Sequence, residues 1–184
     1  MLTRQQRTLS SRVAVVIALC CLSSTTWAQE PEQSPSQRSS FLWDATKHTL
    51  FDPTTYAPAA LNYDATVRDW TTSQLLFRHG FLEHNPRFTI SGLPNDAPVS
   101  YSEGNRRILS DAITNFGLSF ASNFTSRIVE RALMERYPQH RKLVKTLGWV
   151  ERIGVGAYMS YLLSSEHYRQ ASINTEVARQ MGYR

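Results

Sequence analysis

The chain has 184 residues, of which 41% are hydrophobic and 19% are charged. This length suits about one domain of ~100–200 residues, and the composition excludes collagen, a coiled coil, a disulfide scaffold and a wholly disordered chain. The formal net charge is +5, but Arg4, Arg7 and Arg12 precede any acidic residue. Without these three arginines, 17 basic residues stand against 15 acidic ones, so the charge does not indicate a nucleic-acid partner.

The first 28 residues are typical of a secretory signal peptide. Three arginines precede the apolar run 13–22, and Thr26-Trp27-Ala28 then forms a small-residue cleavage site. The apolar run is about half of the ~20 residues that a membrane-spanning helix needs, which disfavours an uncleaved anchor. Cys20 and Cys21, the only cysteines, lie inside this segment. We therefore expect an exported mature chain that begins at Gln29, has no disulfide, and is periplasmic or associated with the cell envelope.

Two further segments follow the signal peptide. Residues 29–40 are polar and rich in Pro and Ser, which predicts a disordered linker, and residues 41–184 are expected to form a single helical domain. A short helix is predicted near Leu42 to Leu50. Pro53 and Pro58 then forbid one continuous helix, because proline lacks an amide donor and clashes with the preceding turn.

About three main helices are predicted from apolar spacing, over residues 59–79, 104–137 and 138–172. Gly80 provides a stop after the first helix. Residues 85–102 contain three Pro residues and one Gly and are predicted to be a long loop, with a short strand possible over 87–91. Since no series of strands appears, the expected fold class is all-α, with the last two helices forming a long antiparallel hairpin about the turn at Tyr137-Pro138.

Each long helix of this hairpin carries one apolar stripe at three- and four-residue steps, which is typical of an amphipathic helix. In the first of them the stripe comprises Ile108, Leu109, Ala112, Ile113, Phe116, Phe120, Phe124, Ile128, Ala132 and Leu133. In the second it comprises Leu143, Leu147, Val150, Ile153, Ala157, Tyr161 and Leu162.

Small residues also recur midway along both long helices, at Gly117 and Ala121 in one and at Gly154 and Gly156 in the other. In an antiparallel hairpin, facing residues have numbers that sum to roughly 275, which places Ala121 opposite Gly154. We therefore predict a helix–helix seam at Gly117, Ala121, Gly154 and Gly156, where the two backbones approach most closely. The alternative is that the glycines only weaken the last helix.

The least charged windows of the two long helices, 112–126 and 153–165, are shorter than the ~20 residues that cross a bilayer. The mean hydropathy is −0.36. These values favour a soluble or peripheral protein over an integral one.

One segment resembles a known family. Its residues Asp69, Thr71, Thr72, Gly80, Glu83, Asn85 and Pro86 form the pattern Asp-x-Thr-Thr followed by Gly-x-x-Glu-x-Asn-Pro. This pattern is similar to that of a family of small bacterial membrane proteins without a known activity, and the whole chain resembles exported proteins of soil bacteria. The resemblance implies an association with the membrane and no particular chemistry.

The candidate polar cluster comprises Asp69, Thr72, His79 and Glu83. These side chains could supply a general acid and base in a pocket, but ordinary pairing along a helix explains them as well. The spacing of His79, Glu83 and His84 does not match helical zinc motifs, and no Gly-rich phosphate loop or nucleophile motif accompanies the carboxylates. We therefore expect no catalytic residues, no metal and no cofactor.

A small basic cluster, Arg141, Lys142 and Lys145 with Arg136 beside it, lies at the turn between the long helices. It is either a phospholipid-binding surface or a solvated helix start. The preferred function is a non-catalytic envelope module that packs on the inner membrane or on a partner protein. The alternatives are a small integral membrane protein with the hairpin in lipid and, third, an enzyme that uses the Asp69 and Glu83 region. The oligomeric state stays open.

Overall fold

The computed structural model describes residues 35–183. Over this range the chain forms four α-helices: α1 (Pro35–Leu50), α2 (Pro53–Phe77), α3 (Tyr101–Arg136) and α4 (Arg141–Gln180). Two 3-10 turns lie between these helices: Pro86–Phe88 is part of the loop between α2 and α3, and Pro138–His140 connects α3 to α4. The predicted all-α class is confirmed. The predicted signal peptide and residues 29–34 of the predicted linker lie outside the described residues, whereas residues 35–40, predicted to be disordered, are helical.

The break between α1 and α2 is made by Asp52 and Pro53. The Asp52 carboxylate accepts hydrogen bonds from the backbone N–H of Thr54 at 3.1 Å and from its hydroxyl at 2.7 Å, which caps α2. Pro53 occupies the first helical position, where no amide donor is needed. The prediction that α2 begins at Ala59 was wrong, because Pro58 lies within the second turn of the helix and removes only one backbone hydrogen bond there.

The segment between α2 and α3 is a structured loop, as predicted. Gly80 has a φ of +87°, a left-handed conformation that glycine adopts without strain, and it follows the end of α2. The short strand predicted over 87–91 is absent from the described residues. Instead, two isolated bridges, Glu83 with Asp96 and Thr89 with Pro98, hold the two sides of the loop together.

The three long helices form a bundle within residues 42–183, which belong to one compact unit. Helices α2 and α4 run parallel, because contacting pairs keep a nearly constant difference in residue number: Gly156 lies against Thr54, and Asn174 binds Ser73. Helix α3 runs antiparallel to both, with Asn123 bound to Thr54 and Thr55 near one end of α2 and Gly104 against Trp70 near the other. Helices α3 and α4 therefore run antiparallel, but their arrangement differs from the predicted hairpin because each of them also packs against α2.

The apolar core lies where the end of α2 meets the start of α3. It comprises Trp70, Phe88, Val99 and Ile108, with Val67 and Phe77 packed against it. The Trp70 ring stacks on Phe88 at 5.2 Å between centroids, and its indole N–H donates to the Tyr101 carbonyl at 3.3 Å. A Cβ atom at Gly104 would lie 2.7 Å from Trp70 Nε1 and still closer to two ring carbons. Because glycine has no side chain, the indole ring of Trp70 can pack directly against the α3 backbone at this position.

The opposite end of the bundle is held by a charged network. Arg127 of α3 binds Asp52 at 2.6 Å, and Arg152 of α4 binds Glu130 of α3 at 2.6 Å. The Arg152 side chain is only 6% exposed, so this pair is largely desolvated. Burial alone would raise the pKa of Asp52, but hydrogen bonds from Thr54 and the charges of Arg127 and Arg152 bring the pKa below its ordinary value.

The predicted small-residue seam is corrected by the structure. Gly117, Ala121 and Gly154 are exposed, and a Cβ atom added at either glycine would meet nothing within 4 Å. Gly156 is buried, but its close neighbour is Thr54 of α2, at 3.3 Å from the added Cβ, rather than α3. The prediction assumed that the two long helices pack mainly on each other, whereas the backbone of α4 approaches α2 most closely at Gly156.

Candidate functional site

A cavity of about 330 Å³ lies between the C-terminal halves of α2 and α4 and the loop that follows α2. Its polar wall comes from both helices, and its apolar wall comes from aromatic and aliphatic side chains of all three segments. The lining residues are Thr66, Asp69, Trp70, Ser73, Leu76, Phe77, Phe81, Leu82, Glu83, His84, Asn85, Phe88, Gln170, Ile173, Asn174 and Val177.

Asp69 is fixed on the polar wall by two residues of α4. Its carboxylate contacts Nδ1 of His167 at 2.8 Å and accepts from the Asn174 side-chain amide at 3.2 Å. The same amide donates to the Ser73 hydroxyl at 2.8 Å, and Gln170 donates to the Asn174 carbonyl oxygen at 2.9 Å. This chain of hydrogen bonds holds the Asp69 carboxylate in one orientation.

Glu83 reaches the same cavity from the loop. Its backbone is paired with Asp96 on both sides, and its carboxylate accepts the N–H of Asn85 at 2.7 Å. Burial raises the pKa of Glu83, and the nearby negative charge of Asp69 raises it further, while backbone hydrogen bonds oppose part of the shift. Carboxyl groups from two separate elements therefore line one cavity, and the charge of Asp69 acts on Glu83.

The predicted polar cluster is thus brought together only in part. Asp69 and Glu83 line the cavity. The hydroxyl of Thr72 donates back to the carbonyls of Arg68 and Asp69 along α2, and Thr72 does not line the cavity. His79 is exposed, with its ring stacked on Tyr183 at 3.6 Å between centroids. The break in the helix at Gly80 turns Glu83 inward and leaves His79 outside.

His167 and Asn174 also belong to the site, although no local sequence pattern indicated them. They are separated from Asp69 by about a hundred positions, and His167 showed no local pairing signal. Their partner becomes evident only from the parallel packing of α2 and α4. His167 also lines a second cavity, of about 370 Å³, which shares Thr66, Asn85 and Phe88 with the first, so the Asp69–His167 pair lies between the two cavities.

A second candidate surface lies on the outside of the bundle. The whole apolar stripe predicted on α4 faces outward instead of inward: all seven residues are exposed, among them Leu143 at 57% and Tyr161 at 68%. Of the stripe predicted on α3, only Ile108 is buried. The buried face of α4 is instead formed by small and polar residues, namely Arg152, Gly156, Ser160, Ser164, Ala171, Asn174 and Ala178.

The exposed apolar surface continues around the turn that joins α3 to α4. Leu147, Trp149 and Val150 are each more than half exposed in the first three turns of α4. Arg136, Arg141, Lys142 and Lys145 lie at the same end, are exposed, and form no ion pair within the part of the chain that the structure describes. We call these last four residues, together with the exposed apolar residues of the first turns of α4, the tip surface.

Within residues 35–183, no helix is long and apolar enough to cross a membrane. In the same residues, no group of three His, Cys, Asp or Glu side chains is placed so that it could hold a metal ion. Comparison with known proteins found no matching family, no similar curated protein and no similar solved structure.

Proposed function

We propose that the protein is an exported, peripheral module of the cell envelope that docks its tip surface on an anionic phospholipid membrane. The observation that carries the proposal is the distribution of apolar side chains. In the described residues, buried positions of the bundle hold twelve polar or charged residues and nine apolar ones, while large apolar side chains are abundant outside. A bundle that buries polar groups and exposes apolar ones is suited to contact an apolar surface.

The exposed stripe on α4 has the regularity that such a contact needs. Leu143, Leu147 and Val150 are followed by Gly154, Ala157 and Tyr161 at steps of four and three residues, so all of them lie on one side of the helix. At a rise of 1.5 Å per residue this side is about 27 Å long. It is long enough to lie flat on a membrane interface, with its apolar side chains below the headgroups.

Charge at the tip supports a lipid surface over an uncharged partner. Between residues 131 and 150 there are five basic residues and one acidic residue, a net charge of +4. Each basic residue near an anionic bilayer contributes about 1 kcal/mol of attraction. Trp149 lies in the same segment, and tryptophan is favoured at the boundary between headgroups and hydrocarbon.

Cell fractionation tests the proposal. We expect the chain to sediment with inner membranes and to be released by alkaline carbonate, and high salt should release a part of it because charge contributes to binding. Retention in carbonate would instead support the integral alternative, with the hairpin in lipid. Loss of binding after the membranes are treated with protease would support a partner protein. Recovery of all the protein in the soluble fraction would overturn the proposal.

A further inference from the structure

The cavity beside Asp69 is lined by two carboxyl groups, and the proposed docking on a membrane gives them no role. No Lys or Arg residue is among its lining residues, and His84 is the only basic residue there. His167 contacts Asp69 from the side of the second cavity, so it can balance at most one of the two carboxylates. The Glu83 carboxyl group remains without a cationic side chain bound to it in the described residues.

Apolar side chains form a large part of the wall around these carboxyl groups. Phe77, Phe81 and Leu82 come from the end of α2 and the following loop, and Ile173 and Val177 come from α4. Aromatic faces attract cations, and aliphatic side chains favour the hydrocarbon part of a ligand. At about 330 Å³, the cavity lies at the small end of the range for ligand pockets, ~300–1,000 Å³. It fits one ring or a short branched chain rather than a nucleotide or a peptide.

We propose that this cavity binds a small organic amine in its cationic form, with the ammonium group beside Glu83 and Asp69 and the hydrocarbon part against Phe77, Phe81 and Ile173. An anion would be repelled by the two carboxylates. A neutral molecule would leave the partly buried Glu83 carboxylate without the charge that compensates it. The hydrogen bonds from His167 and Asn174 hold Asp69 in place before the ligand binds, which lowers the entropic cost of binding.

Calorimetric titration of the purified full chain, without lipid, tests this inference separately from the membrane proposal. The probes are 2-phenylethylamine, 3-methylbutylamine and tyramine, each as the ammonium ion, and 2-phenylethanol serves as the neutral analogue of the first. We expect at least one amine to bind with one site per chain. The alcohol should bind about tenfold or more weakly, since its hydroxyl group lacks the positive charge that strengthens the hydrogen bond of the ammonium group to a carboxylate.

Two matched variants locate the site. Glu83→Gln keeps the size of the side chain and should weaken amine binding by about tenfold or more. Glu166→Gln removes an exposed carboxylate of α4 that is paired with Arg169, and it should leave binding unchanged. Thermal melting confirms that both variants are folded, and the comparison of amine with alcohol on the unmodified chain does not depend on any variant. Absence of binding by all three amines, equal binding of amine and alcohol, or equal weakening by both variants would overturn the inference.

Discussion

Replacing Gly104 and Gly117 by alanine, one at a time, should change stability in opposite directions although both residues lie in α3. At Gly117, an added Cβ meets nothing within 4 Å, so the alanine only reduces the freedom of the unfolded chain. We expect it to stabilise the protein by about 0.5–1 kcal/mol. At Gly104 the same gain is opposed by overlap with the Trp70 ring.

The overlap at Gly104 cannot be relieved cheaply. Trp70 is 3% exposed, stacks on Phe88 and Tyr101, and donates its indole N–H to a backbone carbonyl, so the ring has no free direction in which to move. Overpacking of a core typically costs about 1–3 kcal/mol, which exceeds the gain in helix propensity. The net effect of Gly104→Ala is therefore a loss of about 1–2 kcal/mol.

Urea unfolding followed by circular dichroism measures both changes directly, and thermal melting should show shifts of roughly 2–4 °C per kcal/mol for a chain of this size. Gly117→Ala serves as the matched control, since it makes the same chemical change in the same helix. If Gly104→Ala were as stable as Gly117→Ala, the packing of Trp70 against the α3 backbone would be refuted.

Three further predictions concern the charged network and the N-terminus. Glu130→Gln should cost about 1.5–3 kcal/mol because it leaves the buried Arg152 with only its longer contact to Asp52, at 3.5 Å. Glu135→Gln, at an exposed pair, should cost less than about 1 kcal/mol in the same urea experiment. The pKa of Asp52 in the folded protein lies below its ordinary value of 3.8, so the stabilisation that its carboxylate contributes is present above that pH and is lost as the pH falls through the folded pKa. Asp52→Asn should therefore flatten the acid side of a profile of melting temperature against pH. An unchanged slope would contradict this. The exported chain should have the intact mass of a protein that begins at Gln29, and a chain that retains Cys20 or Cys21 with added acyl mass would refute cleavage there.

The sequence predicted the class and most boundaries of this fold because helix periodicity and its interruptions are local properties. Gly80 and the proline-rich loop marked the end of α2 and the start of α3 closely. The start of α2 was placed six residues late, since two prolines near a helix N-terminus cost less than prolines in its interior.

The direction of each apolar stripe could not be predicted in the same way. Leu143, Leu147 and Tyr161 recur on one side of α4, and a regular stripe usually faces the core, yet these side chains are exposed. Spacing shows that residues share a face, but it does not show what that face meets. Here the small and hydroxyl-bearing face of α4 packs on α2 instead, with Ser160 and Ser164 donating to the carbonyl groups of the preceding turn.

Only part of the candidate site could be predicted from the sequence, for a related reason. Asp69 and Glu83 stood out as carboxyl groups close in sequence, and the turn at Gly80 brings them to one cavity. His167 and Asn174 come from a helix about a hundred residues later, and nothing in their local sequence indicates Asp69 as a partner. Contacts of this kind depend on the register between parallel helices, which a single sequence does not contain.

Flotation with vesicles tests the proposed docking of the tip surface most directly. The protein should float with vesicles that contain phosphatidylglycerol and much less with pure phosphatidylcholine, and Trp149→Phe should abolish a blue shift of fluorescence that accompanies binding. The double variant Lys142→Glu, Lys145→Glu should lose most of the binding. Lys47→Glu, at the only other lysine of the chain, should keep it. Equal flotation of the double variant and the unmodified protein, or no flotation with anionic vesicles, would contradict the proposal.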